Sequence, residues 1–181
     1  MSCLGVHFAI TPEEAAKLEK LDNDDVRIDF IGEEIEQSWV EEFVVESDKA
    51  WDGIHRCLGE FPPDTPWFYP VNPESGAHAR VEDYGSEPLR LAVLGGKKIM
   101  DDESQYFIRL VRPEQVADIA AAMKALDREQ MHERYFRHCK GAWPEYGEED
   151  FGYIWDYFKE IRDFYGRMAG NGRYVVFTAD Q

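Results

Sequence analysis

Apolar and polar positions alternate at the start of the chain. Every second residue across positions 4–10 is a large apolar one, and the residues between them are small or polar. A period of two predicts a half-buried β-strand over residues 4–10. The chain then enters a helix-start pattern, in which Thr11 can cap, Pro12 suits the first helical position and Glu14 completes a capping box. We therefore expect a strand followed directly by a short helix that ends near Leu21.

A second helix is predicted after the acidic run 22–25, which breaks the first helix and can cap the next one. Within that helix, Ile31, Ile35 and Trp39 recur every four residues. This spacing puts the three side chains on one face and predicts a buried stripe. The apolar segment 43–45 is too short for the pattern to decide between helix and strand.

A third helix and then a long loop are predicted between residues 47 and 88. Ser47 or Asp48 is a good N-cap for a helix that runs to about Leu58. The segment 60–88 contains six prolines, which are excluded from helix interiors and central strands. Because the aromatic run 67–69 lies among these prolines, we expect a loop that packs down over the core or covers a pocket.

The second half of the chain contains two further strands and the strongest helix. Apolar segments predict strands over 106–111 and 173–178, and a wide apolar stripe over 154–168 predicts a helix between them. Three strands separated by many helical residues are too few for a doubly wound parallel sheet. We expect one α+β domain over residues 1–181, with a small, mostly antiparallel sheet packed against several helices.

Charge narrows the choice of partner. The chain has 181 residues and a net charge of −17, which repels nucleic acid and anionic membrane surfaces. A basic protein is a more natural partner for such a surface, although solubility alone also explains the charge. No signal peptide or membrane-spanning stretch is visible in the sequence, so we expect a cytoplasmic protein.

The sequence offers no pattern for a metal site, and we expect no cofactor. Its three cysteines are widely spaced without a Cys-x-x-Cys pair, which argues against a zinc ribbon and a disulfide framework. His132 and His138 are six residues apart on a predicted helix, so they face different directions. The acidic run 22–25 lacks the glycine and the distal glutamate of a calcium loop.

The best candidate for a site is the helix predicted to begin at residues 47–48. Asp48, Trp51 and His55 are spaced i, i+3 and i+7, which places a carboxylate, an indole and an imidazole on one helix face. Such a face can line a polar pocket in which His55 acts as a general base or a ligand. The alternative is structural: Asp48 caps the helix, Trp51 enters the core and His55 makes a structural hydrogen bond.

The segment 48–55, Asp-Lys-Ala-Trp-Asp-Gly-Ile-His, resembles the signature of the YfbM-like family of bacterial proteins of unknown function. The segments 88–96 and 106–116 fit the same pattern, as do the aromatic pairs at 157–158 and 164–165 with the final strand. The resemblance spans nearly the whole chain and implies a bacterial cytosolic α+β domain. It implies no activity, so the catalytic residues are unknown and the question whether the protein is an enzyme stays open.

Two functions are compatible with these observations. The first is a protein-binding or regulatory module, such as an immunity-type protein that neutralises a basic partner. The second is a small-molecule-binding protein or enzyme with a pocket around Trp51 and His55. A structural subunit of a larger assembly is a third possibility, and the sequence does not define the oligomeric state.

Overall fold

Among the residues that the structure describes, five antiparallel strands form one sheet: β1 Gly5–Ile10, β2 Val44–Asp48, β3 Lys97–Lys98, β4 Tyr106–Val111 and β5 Tyr174–Asp180. Their order in the sheet is β2-β1-β5-β4-β3. A computed structural model of the chain describes residues 4–62, 85–100 and 106–180. Within these residues, the two edge strands are β2 and β3, and the central strand is the last one in the chain.

Helices cover both faces of the sheet. The α-helices are α1 Pro12–Lys20, α2 Asp24–Phe30, α3 Ala50–Gly59, α4 Pro113–Lys124, α5 Arg128–His138 and α6 Glu148–Met168. A π-helix, Ile31–Glu36, continues α2, and single 3₁₀ turns occupy Glu41–Phe43 and Leu89–Ala92. The architecture is therefore the predicted α+β arrangement with an antiparallel sheet.

In the described part of the chain, two hydrophobic clusters hold these layers together, one on each face of the sheet. The smaller cluster joins α1, α2 and the π-helix to one face, through side chains such as Leu18 and Phe30. The larger cluster joins α3 to α6 to the other face, with Phe151 and Phe158 of α6 fully buried. Because both faces are covered, β1 is buried on both sides, and the prediction of a half-buried strand is wrong.

Several local signals are confirmed. Thr11 caps α1: its side chain accepts the N–H of Glu14, and the Glu14 carboxylate accepts the N–H of Thr11. The predicted strands 4–10, 106–111 and 173–178 correspond to β1, β4 and β5. The undecided segment 43–45 leads into β2, and β3 is a further strand that the pattern did not reveal.

The prediction that Trp39 belongs to a buried stripe is wrong. Ile31 and Ile35 are buried, but the Trp39 side chain is 45% exposed. The helix changes to π geometry at Ile31 and ends at Glu36, before Trp39 is reached. A π-helix closes i→i+5 hydrogen bonds, so residues four apart no longer form a straight row.

The prediction that Asp48 lies in a helix is also wrong. Asp48 is the last residue of β2 and has a φ of 45°, which turns the chain out of the strand. Helix α3 begins two residues later at Ala50, and its N-cap is Lys49, without a side-chain cap hydrogen bond. Pairing with β1 outweighs the local capping preference of Ser47 and Asp48, because Ser47 is buried and its hydroxyl donates to the Gly5 carbonyl at 2.9 Å.

The aromatic run 67–69, and most of the predicted loop around it, lies outside the described residues. Among the helices that the structure describes, none is both long enough and apolar enough to cross a membrane.

Candidate functional site

An open groove of about 570 Å³ lies between the edge strand β2 and helix α6. We call it the acidic groove, because four of the nine residues that line it carry carboxylates. The described part of the chain contributes nine residues to the lining, and none of them is a lysine or an arginine. The lining residues are Trp39, Glu41, Val44, Val45, Glu46, Tyr153, Asp156, Tyr157 and Glu160.

Helix α6 provides one wall of the acidic groove. Tyr153, Asp156, Tyr157 and Glu160 are spaced i, i+3, i+4 and i+7, so their side chains share one face. At 1.5 Å of rise per residue, this face is roughly 10 Å long. The opposite face of α6 is fixed in the core, which makes this wall a rigid surface.

The start of α6 is held by a half-buried network of aromatic side chains and one carboxylate. The carboxylate of Asp150, in the first turn, accepts hydrogen bonds from the Trp143 indole N–H at 2.8 Å and from the Tyr135 hydroxyl. The Tyr135 hydroxyl also accepts the backbone N–H of Gly147 at 3.1 Å. This network sets the direction in which α6 leaves the preceding turn.

The other wall consists of β2 and the segment that leads into it. Register with β1 fixes β2, since Val45 lies opposite His7 and Val44 lies opposite Phe8. Arg173, the residue before β5, holds the start of β2 in place, because its guanidinium lies 3.8 Å from the centre of the Phe43 ring. The wall is therefore positioned by the sheet rather than by a free loop.

Negative charge converges on the two tyrosines of the acidic groove. Burial raises the pKa of Tyr157, and the carboxylates of Asp48, Glu160 and Glu46 raise it further. Burial also raises the pKa of Tyr153, whose hydroxyl donates a hydrogen bond to the Asp48 carboxylate. The same hydroxyl accepts the backbone N–H of the residue after Asp48 at 3.1 Å.

Most of this negative charge is not neutralised within the described residues. Asp156 pairs with Lys159 at 2.8 Å, but Glu41, Glu46 and Glu160 have no ion pair among the residues that the structure describes. All three of these glutamates are exposed. The acidic groove thus combines aromatic rings with free carboxylates, which is the chemistry that attracts a cation.

The structure separates the three candidate residues that the sequence singled out. Asp48 is at the end of β2 and contacts the Tyr153 hydroxyl beside the acidic groove. Trp51 is 2% exposed and packs against Phe107 and Phe177, with ring centroids 6.1 and 5.8 Å apart. The predicted common face of carboxylate, indole and imidazole therefore does not form.

His55 lies in the core one turn after Trp51 and is 1% exposed. Among the described residues, neither of its ring nitrogens has a hydrogen-bond partner, and its ring packs against Phe61 at 5.2 Å. Burial lowers the pKa of His55 to about 3, and the positive charges of Arg56 and Arg109 contribute to the decrease. The histidine is therefore neutral at pH 7, and the predicted structural hydrogen bond is not seen within the described residues.

The acidic groove was not found from the sequence, because its two walls are far apart in the chain. One local signal was available: Tyr153, Asp156, Tyr157 and Glu160 form a polar and aromatic face on the strongest predicted helix. As for metals, the described residues contain no group of three or more His, Cys, Asp or Glu side chains that could hold an ion.

The comparisons with known proteins identify a family. A family model for the domain of unknown function DUF1877 matches residues 1–178. The crystal structure of YfbM from Escherichia coli, a protein of unknown function, matches with a TM-score of 0.62 and 19% identity, covering 97% of this chain and 99% of that chain. This similarity shows a common fold and confirms the YfbM-like resemblance, while none of the curated proteins compared with the chain matches it. The chain belongs to the DUF1877 family.

Proposed function

We propose that this protein is a binding module that captures a basic, extended segment of a partner protein in the acidic groove, and so neutralises or regulates that partner. The observation that carries the proposal is the lining of the groove, with four carboxylates, three aromatic side chains and no basic residue from the described part of the chain. The net charge of −17 supports it, because long-range attraction accelerates the approach of a basic protein.

The chemistry of the groove suits lysine and arginine side chains. A cation over an aromatic ring at a solvent-exposed site gains about 0.5–1 kcal/mol, and the groove offers the exposed ring of Trp39 and the half-buried rings of Tyr153 and Tyr157. A guanidinium or ammonium group can also donate hydrogen bonds to Glu46 and Glu160, whose charges already act together on Tyr157. Several weak contacts of this kind add up to specific binding when they are held on a rigid surface.

The shape of the groove favours a peptide segment. It is open and runs beside an edge strand, and its length of roughly 10 Å corresponds to about three residues of extended chain. Edge strands are common docking places for extended segments. A second copy of this chain is disfavoured as the occupant, since it would add another net charge of −17.

The alternative, a small-molecule site around Trp51 and His55, has less support. Its one favourable observation is that the His55 nitrogens lack partners among the described residues. Both side chains are packed in the core, and neither lines the acidic groove or the smaller cavity of about 290 Å³ that shares Tyr153 with it.

The experiment compares two synthetic peptides, one alternating arginine and serine and one with neutral citrulline in place of each arginine. We expect the arginine peptide to bind, with an affinity that falls as salt rises, and the citrulline peptide to bind weakly. The double variant Glu46→Gln with Glu160→Gln should weaken binding by about threefold to tenfold.

A matched control separates the groove from the overall charge. Glu13→Gln with Glu129→Gln changes the net charge by the same amount at two exposed positions on α1 and α5. This control should bind the arginine peptide almost as well as the unmodified protein. An equal loss of affinity for the arginine peptide in both double variants, or equal binding of the two peptides, would contradict the proposal.

A further inference from the structure

Two buried thiols lie next to each other between α3 and α5. The Sγ atoms of Cys57 and Cys139 are 3.7 Å apart, although the residues are separated by 82 positions in the chain. Both residues are free cysteines with no exposed surface. The Cys139 thiol also lies 3.7 Å from the carbonyl oxygen of Gly53, to which it donates.

Both thiols lie close to the end of a helix. A disulfide requires an Sγ–Sγ distance of about 2.0 Å, so the sulfur atoms must approach each other by roughly 1.7 Å. Cys57 is in the last turn of α3, and Cys139 is the C-cap of α5. The chain turns sharply just after each of them, with positive φ at Glu60 and Gly141. Helix ends bordered by such turns can shift more easily than helix centres.

We propose that Cys57 and Cys139 are an oxidation site that forms an intramolecular disulfide with hydrogen peroxide. One thiolate attacks a peroxide oxygen, breaking the O–O bond and giving a sulfenic acid and hydroxide. The second thiol then attacks that sulfur, forming the S–S bond and releasing water. In total, two thiols and one peroxide give one disulfide and two molecules of water. This reaction is independent of binding in the acidic groove.

Contacts between the ends of α3 and α5 close the site in the reduced protein. The Arg134 guanidinium donates to the Cys57 carbonyl at 3.0 Å and pairs with Glu60 at 3.1 Å. His138 contacts the carbonyl oxygen of Phe61 through Nδ1 at 2.7 Å. The Cys57 thiol beside it, together with burial, raises the pKa of the Cys139 thiol, which keeps the thiolate scarce while the helices are closed. Oxidation therefore requires these helix ends to open.

The test uses the full chain with Cys3→Ser, so that Cys57 and Cys139 are its two remaining thiols. The protein is treated with hydrogen peroxide, unfolded in an alkylating reagent and analysed by mass spectrometry. We expect a product that has lost two hydrogens, takes up no reagent, yields a cross-linked peptide joining Cys57 to Cys139, and is reversed by dithiothreitol. Two alkylated thiols after oxidation, sulfinic acid at either cysteine, or a covalent dimer would overturn the proposal.

The rate of oxidation tests the role of the helix-end contacts. Arg134→Ala removes the contacts to Cys57 and Glu60, and should accelerate disulfide formation roughly fivefold. Arg137→Ala is the matched control, because its ion pair is with Glu133 on the same helix. Equal rates in both variants would show that opening of these helix ends does not control oxidation.

Discussion

Lowering the pH from about 7 to about 4.5 should destabilise the protein through two buried histidines, His7 and His55. Burial lowers the pKa of His7 to about 4 and that of His55 to about 3. In the unfolded chain both titrate near 6.5. Below that pH the unfolded state binds more protons than the folded state, so stability is present above pH 6.5 and is lost as the pH falls toward the folded pKa values.

The size of the effect follows from these pKa values. In this window each histidine lowers the free energy of unfolding by about 1.4 kcal/mol per pH unit, which amounts to roughly 2 to 3 kcal/mol for each by pH 4.5. Together the two histidines should lower the free energy of unfolding by about 5 kcal/mol, which is comparable with the whole stability of many domains. The hydrogen bond between the His7 ring and the Ala92 carbonyl raises the pKa of His7, but by less than burial lowers it.

The assay is urea unfolding at both pH values, with the free energy obtained by linear extrapolation. Because the carboxylates also titrate, the unmodified protein is compared with the double variant His7→Phe, His55→Phe, which keeps a ring at both sites. At His7, the Ala92 carbonyl still accepts a hydrogen bond from Tyr165 at 2.8 Å. The double variant should lose about 5 kcal/mol less than the unmodified protein between the two pH values. An equal loss in both proteins would refute this reasoning.

Three substitutions test individual contacts, each by urea unfolding at pH 7. Gly53→Ala should cost about 1 kcal/mol, because an added Cβ would collide with Cδ1 of the buried Ile154 and crowd Trp143, which outweighs the gain in helix propensity. Thr11→Ala should cost about 1 kcal/mol, because it removes the side-chain half of the capping box of α1. Tyr165→Phe should cost about 0.5–1 kcal/mol, since the carbonyl that its hydroxyl contacts keeps a hydrogen bond from His7. An unchanged free energy in any of the three contradicts the contact assigned to that residue.

Where local signals and the tertiary structure agree, the sequence predicts the fold well. The start of α1 needs only Thr11, Pro12 and Glu14 in the right order, and the structure has that capping box. Strand β1 is predicted because large apolar residues alternate with small or polar ones, and β4 and β5 are predicted because their segments are apolar. The first is nevertheless buried on both faces, since a strand pattern does not reveal how many helical layers cover it.

The sequence fails where pairing or helix type overrides a local preference. Asp48 has the chemistry of an N-cap, yet it pairs with Gly5 as the last residue of an edge strand. Trp39 follows the i+4 spacing of a buried stripe, yet the helix becomes a π-helix and ends before it. Both errors concern the region of the acidic groove, where the side chain of Trp39 is left exposed.

The candidate site itself depends on contacts between distant parts of the chain. Glu46 and Glu160 act on the same tyrosine, Tyr157, although they belong to β2 and α6. Cys57 and Cys139 likewise come together only through the packing of α3 against α5. A single sequence shows the spacing within one element, but not which distant elements meet.

Mapping the bound arginine–serine peptide by NMR tests the central claim most directly. The protein is labelled with ¹⁵N, and its amide signals are followed as the peptide is added. We predict that the largest shifts occur in β2 and around Tyr153 and Tyr157 of α6, the two walls of the acidic groove. Shifts concentrated on another surface, such as the exposed face of α4 or α5, or no shifts at all, would contradict the account.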